Sequence, residues 1–337
     1  MPLVYAGIDE AGYGPLLGPL CVGCAAFVLP GGPGASGDPP PCLWRVLGAA
    51  VCRKPGDRRR RIAVEDSKKL KGAKDSAAHP LRHLERGVTA FASALPGAPA
   101  EWTSDAGLLA ALGALPEGED PWLAAPRPLP VGNEAAALRV SGAMLRTALA
   151  GAGAGLAVLA VRAIGPRELN ALAARVGNKA TINFMAAVAH VDRVRREAAA
   201  RGLEAWVALD RQGGRTAYRE QLQTSFPGSR IRVLAESDGE QRYRLEFPAG
   251  EGLPAHAVTA SFELDGEARN LPVALASMAA KYARELHMRR LNAFFAERAP
   301  HVKPTAGYVE DGRRFLRDVA PVLEAAGIAR EALVRGI

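Results

Sequence analysis

The sequence has few cysteines, few aromatics and no long hydrophobic runs. Four cysteines in 337 residues are too few for a disulfide scaffold of this size. Cys21 and Cys24 form a C-x-x-C, but they lie in the apolar run 19–28, which reads as a buried strand. Residues three apart in a strand point to opposite faces, so the pair is badly placed to share a metal. Cys42 and Cys52 lack tight ligand spacing. Aromatics are 6 % of the chain, so a core must be built mostly from Ala, Leu and Val. No uncharged apolar stretch reaches 18 residues, and no transmembrane helix is expected. The apolar start carries Asp9 and Glu10 and has no basic leader, so it does not read as a signal peptide; a cytoplasmic protein is expected. His190, His287 and His301 are scattered, without a partner at metal-ligand spacing, and read as structural or surface residues. No local Ser-His-Asp signature and no Gly-x-x-x-x-Gly-Lys-Ser/Thr loop is present, so nucleotide hydrolysis is not expected. There is no internal repeat.

Positive charge is in excess. The net charge is +8 and the pI about 9.6. That favours an anionic partner such as nucleic acid, although an Arg- and Ala-rich composition can also be a genome-wide habit. The basic run 54–61 is a solvated face or a phosphate contact.

Residues 3–8 and 20–29 read as strands around the turn Gly12-Tyr13-Gly14-Pro15, suggesting a hairpin. Residues 30–38 read as a loop. Asp66 or Ser67 caps a helical segment reaching about residue 94. Residues 95–132 are Pro/Gly-rich and irregular, with one short helix. A buried strand follows at 154–164, then one or two helices over 167–200. Residues 204–209 form another apolar strand, ending at Asp210. Strands are expected at 231–236, 243–247 and 257–264, with Ser237-Asp238-Gly239 between the first two. A long Ala-rich helix spans 271–298, and a last amphipathic helix 312–327. This order predicts an α/β fold with a central mixed β-sheet flanked by helices. We expect a single domain over 1–337, with insertions near 30–60, 95–150 and 211–256, and a monomer.

Three carboxylates stand at strand ends: Asp9 and Glu10 after the first, Asp210 after the strand at 204–209. Carboxylates held side by side on rigid strand ends suit hard divalent cations such as Mg²⁺ or Mn²⁺. Two such ions can activate a water and stabilise a leaving oxygen in phosphodiester cleavage. Taken singly, each acid reads more readily as a cap of a surface strand or turn than as a catalytic group.

The run Gly7-Ile8-Asp9-Glu10-Ala11-Gly12-Tyr13-Gly14-Pro15-Leu16-Leu17-Gly18-Pro19-Leu20 resembles the first motif of the type 2 ribonuclease H family (ribonucleases HII and HIII). Asp66-Ser67-Lys68-Lys69-Leu70 resembles its second motif. Asp210 falls where that family has its third carboxylate, and Ala276-Ser277-Met278-Ala279-Ala280-Lys281 resembles its Ala-Ser-x-x-Ala-Lys helix. The fourth carboxylate, ten residues before that Ser, lands on Glu267. Asp265 competes for the place, since both would share a strand face if the strand continued. Pro304-Thr305-Ala306-Gly307-Tyr308 resembles the segment before the family's last helix. Five motifs in order cover almost the whole chain.

The resemblance implies a ribonuclease H-like fold and metal-dependent endonucleolytic cleavage of RNA in RNA/DNA hybrids. It implies a two-ion site, Mg²⁺ or Mn²⁺, held by Asp9, Glu10, Asp210 and Glu267, with Asp9 bridging. It places Gly12, Tyr13, Gly14, Lys68 and Tyr308 against the substrate. Glu at the fourth position, and Gly177-Asn178-Lys179-Ala180 after Glu168-Leu169-Asn170, look HIII-like, yet the chain begins directly on the catalytic strand. One departure matters. The family's Gly-x-Gly carries Arg or Lys in the middle, and here it is Tyr13. A Tyr cannot supply the lost charge, though its ring can stack and its hydroxyl can donate; alternatively it is a turn residue only. Tyr308 reads alternatively as a core aromatic. Ser277 and Lys281, four apart on one helix face, support the site or simply pack the helix. A non-cleaving nucleic-acid binder on the same fold, and a related nuclease with a DNA substrate, are the competing readings.

Overall fold

A computed structural model describes residues 1–32, 39–72, 78–118, 120–212 and 215–336. Most of the expected loop at 30–38, and residues 73–77 of the expected helical segment, lie outside these. The strands are β1 (Leu3–Ala11), β2 (Leu20–Leu29), β3 (Val51–Cys52), β4 (Ile62–Ala63), β5 (Gly155–Ile164), β6 (Glu204–Asp210), β7 (Arg230–Glu236), β8 (Glu240–Phe247) and β9 (His256–Glu263). The described residues form a seven-stranded sheet ordered β5-β2-β1-β6-β9-β8-β7, while β3 and β4 pair separately. β1 and β2 are the expected antiparallel hairpin, and β5 extends it. β1, β6 and β9 run parallel, and β7 and β8 fold back antiparallel beside β9. The α/β class and the mixed sheet flanked by helices are as the sequence predicts.

Strand alternation sends side chains to two cores. Leu3, Tyr5, Cys21, Ala25, Phe27, Trp206 and Ala208 face the helix Leu271–Arg298. Val4, Ala6, Ile8, Val22, Cys24, Val207, Leu209 and Phe262 face the helix Lys179–Ala200. Cys21 and Cys24 therefore point apart, as expected, and burial pushes both thiols up to about 12.

Glycine lets the long helix lie directly on the sheet. A Cβ on Gly7 would sit 2.1 Å from the Val273 nitrogen, and one on Gly23 would sit 2.2 Å from the Ala276 carbonyl oxygen. This close approach carries the first turns of the helix, including Ser277, beneath the end of β1.

Two buried carboxylates pin the irregular segment to the same helix. Asp105 takes two hydrogen bonds from Arg290, at 2.6 and 2.9 Å. Glu85 accepts from the backbone of Val131 and Gly132 and from the side chains of Asn133 and Tyr282, at 2.6–2.9 Å. The one short α-helix expected there is Asp105–Ala111. The following helix, Ala135–Gly151, has no counterpart in the sequence reading.

Two element expectations change, and the open choice over 167–200 is settled as two helices. The segment from residue 67 is not one helix but Ser67–Leu70 and Arg82–Ala92. Pro80 stands between them, and proline lacks the N–H a helix interior needs while disfavouring helix in the residue before it. The residues 167–200 form two helices, Pro166–Val176 and Lys179–Ala200, parted by Gly177 and the capping side chain of Asn178. The last helix divides into Val309–Asp318 and Ala320–Ala325, with Pro321 in the first turn of the second piece. Among the described residues no helix is long and apolar enough to cross a membrane.

Candidate active site

β1 runs to Ala11, three residues beyond its expected end, so Asp9 and Glu10 lie within the strand. Successive strand residues alternate faces. Asp9 accordingly sits under the helix Leu271–Arg298, only 7 % exposed, where Ser277 hydrogen-bonds its carboxylate. Glu10 faces the other helix, where Asn183 donates to it at 3.1 Å.

The parallel register pairs Ile8 with Leu209, so one residue further on Asp9 and Asp210 share a sheet face at adjacent strand ends. Asp210 in turn pairs with Glu263. β9 ends at Glu263, and the chain turns through Asp265, which adopts a left-handed backbone with φ 54°. The short helix Gly266–Arg269 then supplies Glu267 and a backbone N–H, from Gly266, that donates to Asp210 at 3.0 Å. Asp265 and Glu267 therefore do not share a strand face, because the strand has stopped. Glu267 hydrogen-bonds Asp9 and accepts from Ser277 at 3.4 Å, whereas Asp265 is exposed and touches the group only through its charge on Asp210.

The four carboxylates lie within electrostatic reach of one another. Burial, then Glu10, Glu267 and Asp210, push Asp9 well above the usual carboxylate range, against the Ser277 hydrogen bond. Burial also raises Glu10, opposed first by Asn183 and aided by the Asp210 charge. Asp210 is raised by burial and Asp265, and held back by the Gly266 hydrogen bond. Glu267 is raised by burial, Asp66 and Asp210. One cation offsets this: Lys68, exposed at the start of its helix, lowers Glu10, Asp210 and Glu267. Asp66 caps that helix by accepting from the Lys68 N–H at 2.8 Å. Ser67, beside it, has its hydroxyl oxygen 3.0 Å from that of Ser277.

The donor set is all oxygen, which suits hard divalent cations. Its members raise one another's pKa, so a dication among them would relieve real repulsion. The side chains are not drawn in around a point: among the described residues no three His, Cys, Asp or Glu side chains stand at ion-holding geometry. Asn183 and Ser277 currently occupy acceptor oxygens of Glu10 and Glu267.

Residues 12–18 form a loop beside this cluster. Gly12 has φ +83°, and a Cβ there would lie 2.5 Å from the Arg284 side chain. Arg335 donates to the carbonyls of Gly12, Pro15 and Gly18, and Arg284 donates to those of Leu17 and Ala306. Neither arginine pairs with a carboxylate among the described residues. The Gly307 carbonyl accepts from Leu16 and Leu17 at 2.8 and 3.0 Å, which sets Tyr308 next to the loop. Tyr308 is 55 % exposed and Tyr13 39 %, so Tyr308 is not a core aromatic. A Cβ on Gly14 would meet nothing within 4 Å.

The structure thus gathers Asp9, Glu10, Asp210, Glu267 and Lys68, and puts Gly12, Tyr13, Gly14 and Tyr308 on the flanking loops. Ser277 serves the cluster, while Lys281 is drawn away into an ion pair with Glu285 at 2.9 Å. Sequence reasoning missed Asn183, Arg284 and Arg335. Asn183 is the one with a signal, since it is a polar residue between the apolar Ile182 and Phe184 at one turn's spacing from Lys179.

No family model matches the sequence, and no curated protein does. Among solved structures, the chain is similar to the ribonuclease HII of Archaeoglobus fulgidus in its PCNA complex, at 17 % identity over 99 % of this chain and 94 % of that one, with a TM-score of 0.40. It is similar to the ribonuclease H2 of Pyrococcus horikoshii OT3, at 14 % identity over 98 % and 92 %, with a TM-score of 0.42. It is also similar to Bst-RNase HIII in complex with Mn²⁺, at 14 % identity over 99 % of this chain and 66 % of that one, with a TM-score of 0.43.

Proposed function

We propose that this protein is an endonuclease that hydrolyses the RNA strand of RNA/DNA hybrids with two divalent cations, Mg²⁺ or Mn²⁺. What supports the reading most directly is the shared negative charge of Asp9, Glu10, Asp210 and Glu267, each held above its ordinary pKa chiefly by burial, with the other acids adding to it. A protein keeps four acids in that costly state when a cation offsets it in the working form.

Two ions in this cluster would supply an activated water and a stabilised leaving oxygen. The chain's own residues do the rest. Asp9, hydrogen-bonded to Glu267 and Ser277, would hold the ions together with Glu10, Asp210 and Glu267. Asn183 aims Glu10, and the Gly266 N–H aims Asp210. Lys68, exposed next to three of the acids, is placed to meet the phosphate of an incoming strand. Gly12, Gly14 and Tyr308 line the path on the flanking loops.

The test is cleavage of labelled RNA/DNA hybrid in Mg²⁺ and in Mn²⁺, beside matched duplexes of pure RNA and pure DNA. RNA-strand cleavage that is lost in Asp9→Asn is expected. No cleavage of hybrid with either metal at high enzyme concentration refutes the proposal. A second reading, a binder on the same fold that does not cut, is favoured by the open arrangement of the acids. It predicts salt-dependent hybrid binding without metal-dependent turnover. Cleavage of DNA alone points instead to a nuclease with a DNA substrate.

A further inference from the structure

Tyr13 lies three residues after Glu10, on the loop beside the carboxylates, and Lys179 holds its ammonium 4.6 Å from the centre of the tyrosine ring. Lys179 opens the helix whose Asn183 holds Glu10. Positions four apart share a helix face, so the face that aims Glu10 also presents Lys179. Among the described residues Lys179 pairs with no carboxylate, while burial and the like charge of Arg335 push its pKa down. The Arg335 guanidinium holds the same loop from beneath. Among the described residues, the loop that carries Tyr13 thus meets two cations, Lys179 on the ring and Arg335 on the backbone of Gly12 and Pro15, at the edge of an acidic cluster that would repel a phosphate approaching alone.

We infer that Tyr13 and Lys179 act as one unit that grips a phosphodiester of the substrate strand beside the carboxylates. The ring carries the ammonium by a cation–π contact, and so delivers from the helix the charge that position 13 itself does not carry. This rests on the hybrid-nuclease reading above. Tyr13 is here a positioning residue: it fixes where the Lys179 charge stands.

The experiment measures binding of a labelled RNA/DNA hybrid in EDTA over a salt series, with cleavage kinetics in Mn²⁺ alongside. Lys179→Gln is expected to weaken binding about tenfold and to reduce the salt slope by about one phosphate contact, raising KM more than it lowers kcat. Tyr13→Ala is expected to match it, the double variant to be no worse than either, and Tyr13→Phe to recover what Tyr13→Ala loses. Neither side chain is buried, and thermal melts check that all variants fold. Unchanged salt slopes, strictly additive losses, or a Tyr13→Phe as weak as Tyr13→Ala overturn the inference. If wild type cleaves hybrid and the variants match it, the inference falls and the nuclease reading stands. If wild type neither binds nor cleaves hybrid, both fall.

Discussion

Asn183 donates its side-chain amide to Glu10 at 3.1 Å from a helix position only 2 % exposed, and its own carbonyl oxygen is buried without a hydrogen-bond partner. The amide thus has a single task in this structure, which is to orient the carboxylate. Its hydrogen bond is also the main force holding the Glu10 pKa down against burial. Asn183→Ala should let that pKa rise and let the side chain rotate, weakening metal affinity by roughly 10–100-fold, the usual cost of losing a residue that orients a ligand. Titrating Mn²⁺ against hybrid cleavage reads this directly. An unchanged half-saturating metal concentration would refute it.

The Asp9 carboxylate predicts opposite effects on stability and on activity. A carboxyl raised above its unfolded pKa adds stability below the unfolded value and loses it as pH rises through the folded value. At neutral pH Asp9, buried among Glu10, Glu267 and Asp210, therefore costs the metal-free protein stability. Asp9→Asn should raise the melting temperature of metal-free protein by a few degrees, equivalent to about 1–2 kcal/mol, while abolishing cleavage. Mg²⁺ or Mn²⁺ should raise the melting temperature of the wild type far more than that of the variant. Calorimetry with EDTA and with each metal checks both halves, and equal shifts in the two proteins would contradict the proposed ion site.

Much of this arrangement was legible in the chain. The hairpin, the strand ending at Asp210 and the long helix follow from apolar runs and turn residues, and the face on which Cys21 and Cys24 part follows from strand alternation alone. Glu267 was placed by resemblance; its geometry, a turn helix after β9 rather than a strand continuation, depends on the left-handed residue Asp265, and Asp is among the residues that adopt it. Asn183 and Arg335 were not legible as site residues. Each acts on a partner more than 170 positions away, and no local periodicity encodes such a distance. Pro80 and Pro321 are helix breakers in the sequence, but apolar spacing runs on across each of them, so spacing alone gives one helix where the backbone forms two.

The Asp105–Arg290 pair tests how the segment after residue 95 is attached. Both side chains are buried, at 0 % and 2 % exposure, and Asp105 also accepts from the Arg127 backbone N–H at 2.8 Å. Asp105→Asn keeps the shape and leaves the guanidinium buried without a counter-charge, at a cost of about 3–5 kcal/mol. Replacing both residues with apolar ones of similar volume should recover most of the loss. Urea unfolding of the single and double variants separates the two contributions. A single variant as stable as wild type would mean that water reaches Arg290 in solution.

His190 and His287 predict a loss of stability in mild acid that is independent of the carboxylates. Burial lowers each to about 4 from the ordinary 6.5. Their ring Nε2 atoms lie 3.0 Å from the Val22 carbonyl and 2.8 Å from the Ala114 carbonyl, which fixes the neutral ring with its proton on that nitrogen. Above pH 6.5 both rings are neutral in folded and unfolded chains alike, and they add no pH dependence. Below it the unfolded chain takes up protons that the folded protein refuses, so stability falls until about pH 4. At about 1.4 kcal/mol per pH unit, each ring costs roughly 3 kcal/mol across that window. The raised acids of the active site work in the other direction, gaining stability as pH falls, so wild type alone reports a mixture. His190→Gln keeps a donor for the Val22 carbonyl and removes the titration. Its stability relative to wild type should therefore improve steadily between pH 6.5 and 4, measured by urea unfolding at each pH. A constant difference between the two proteins would show that His190 titrates normally in the fold.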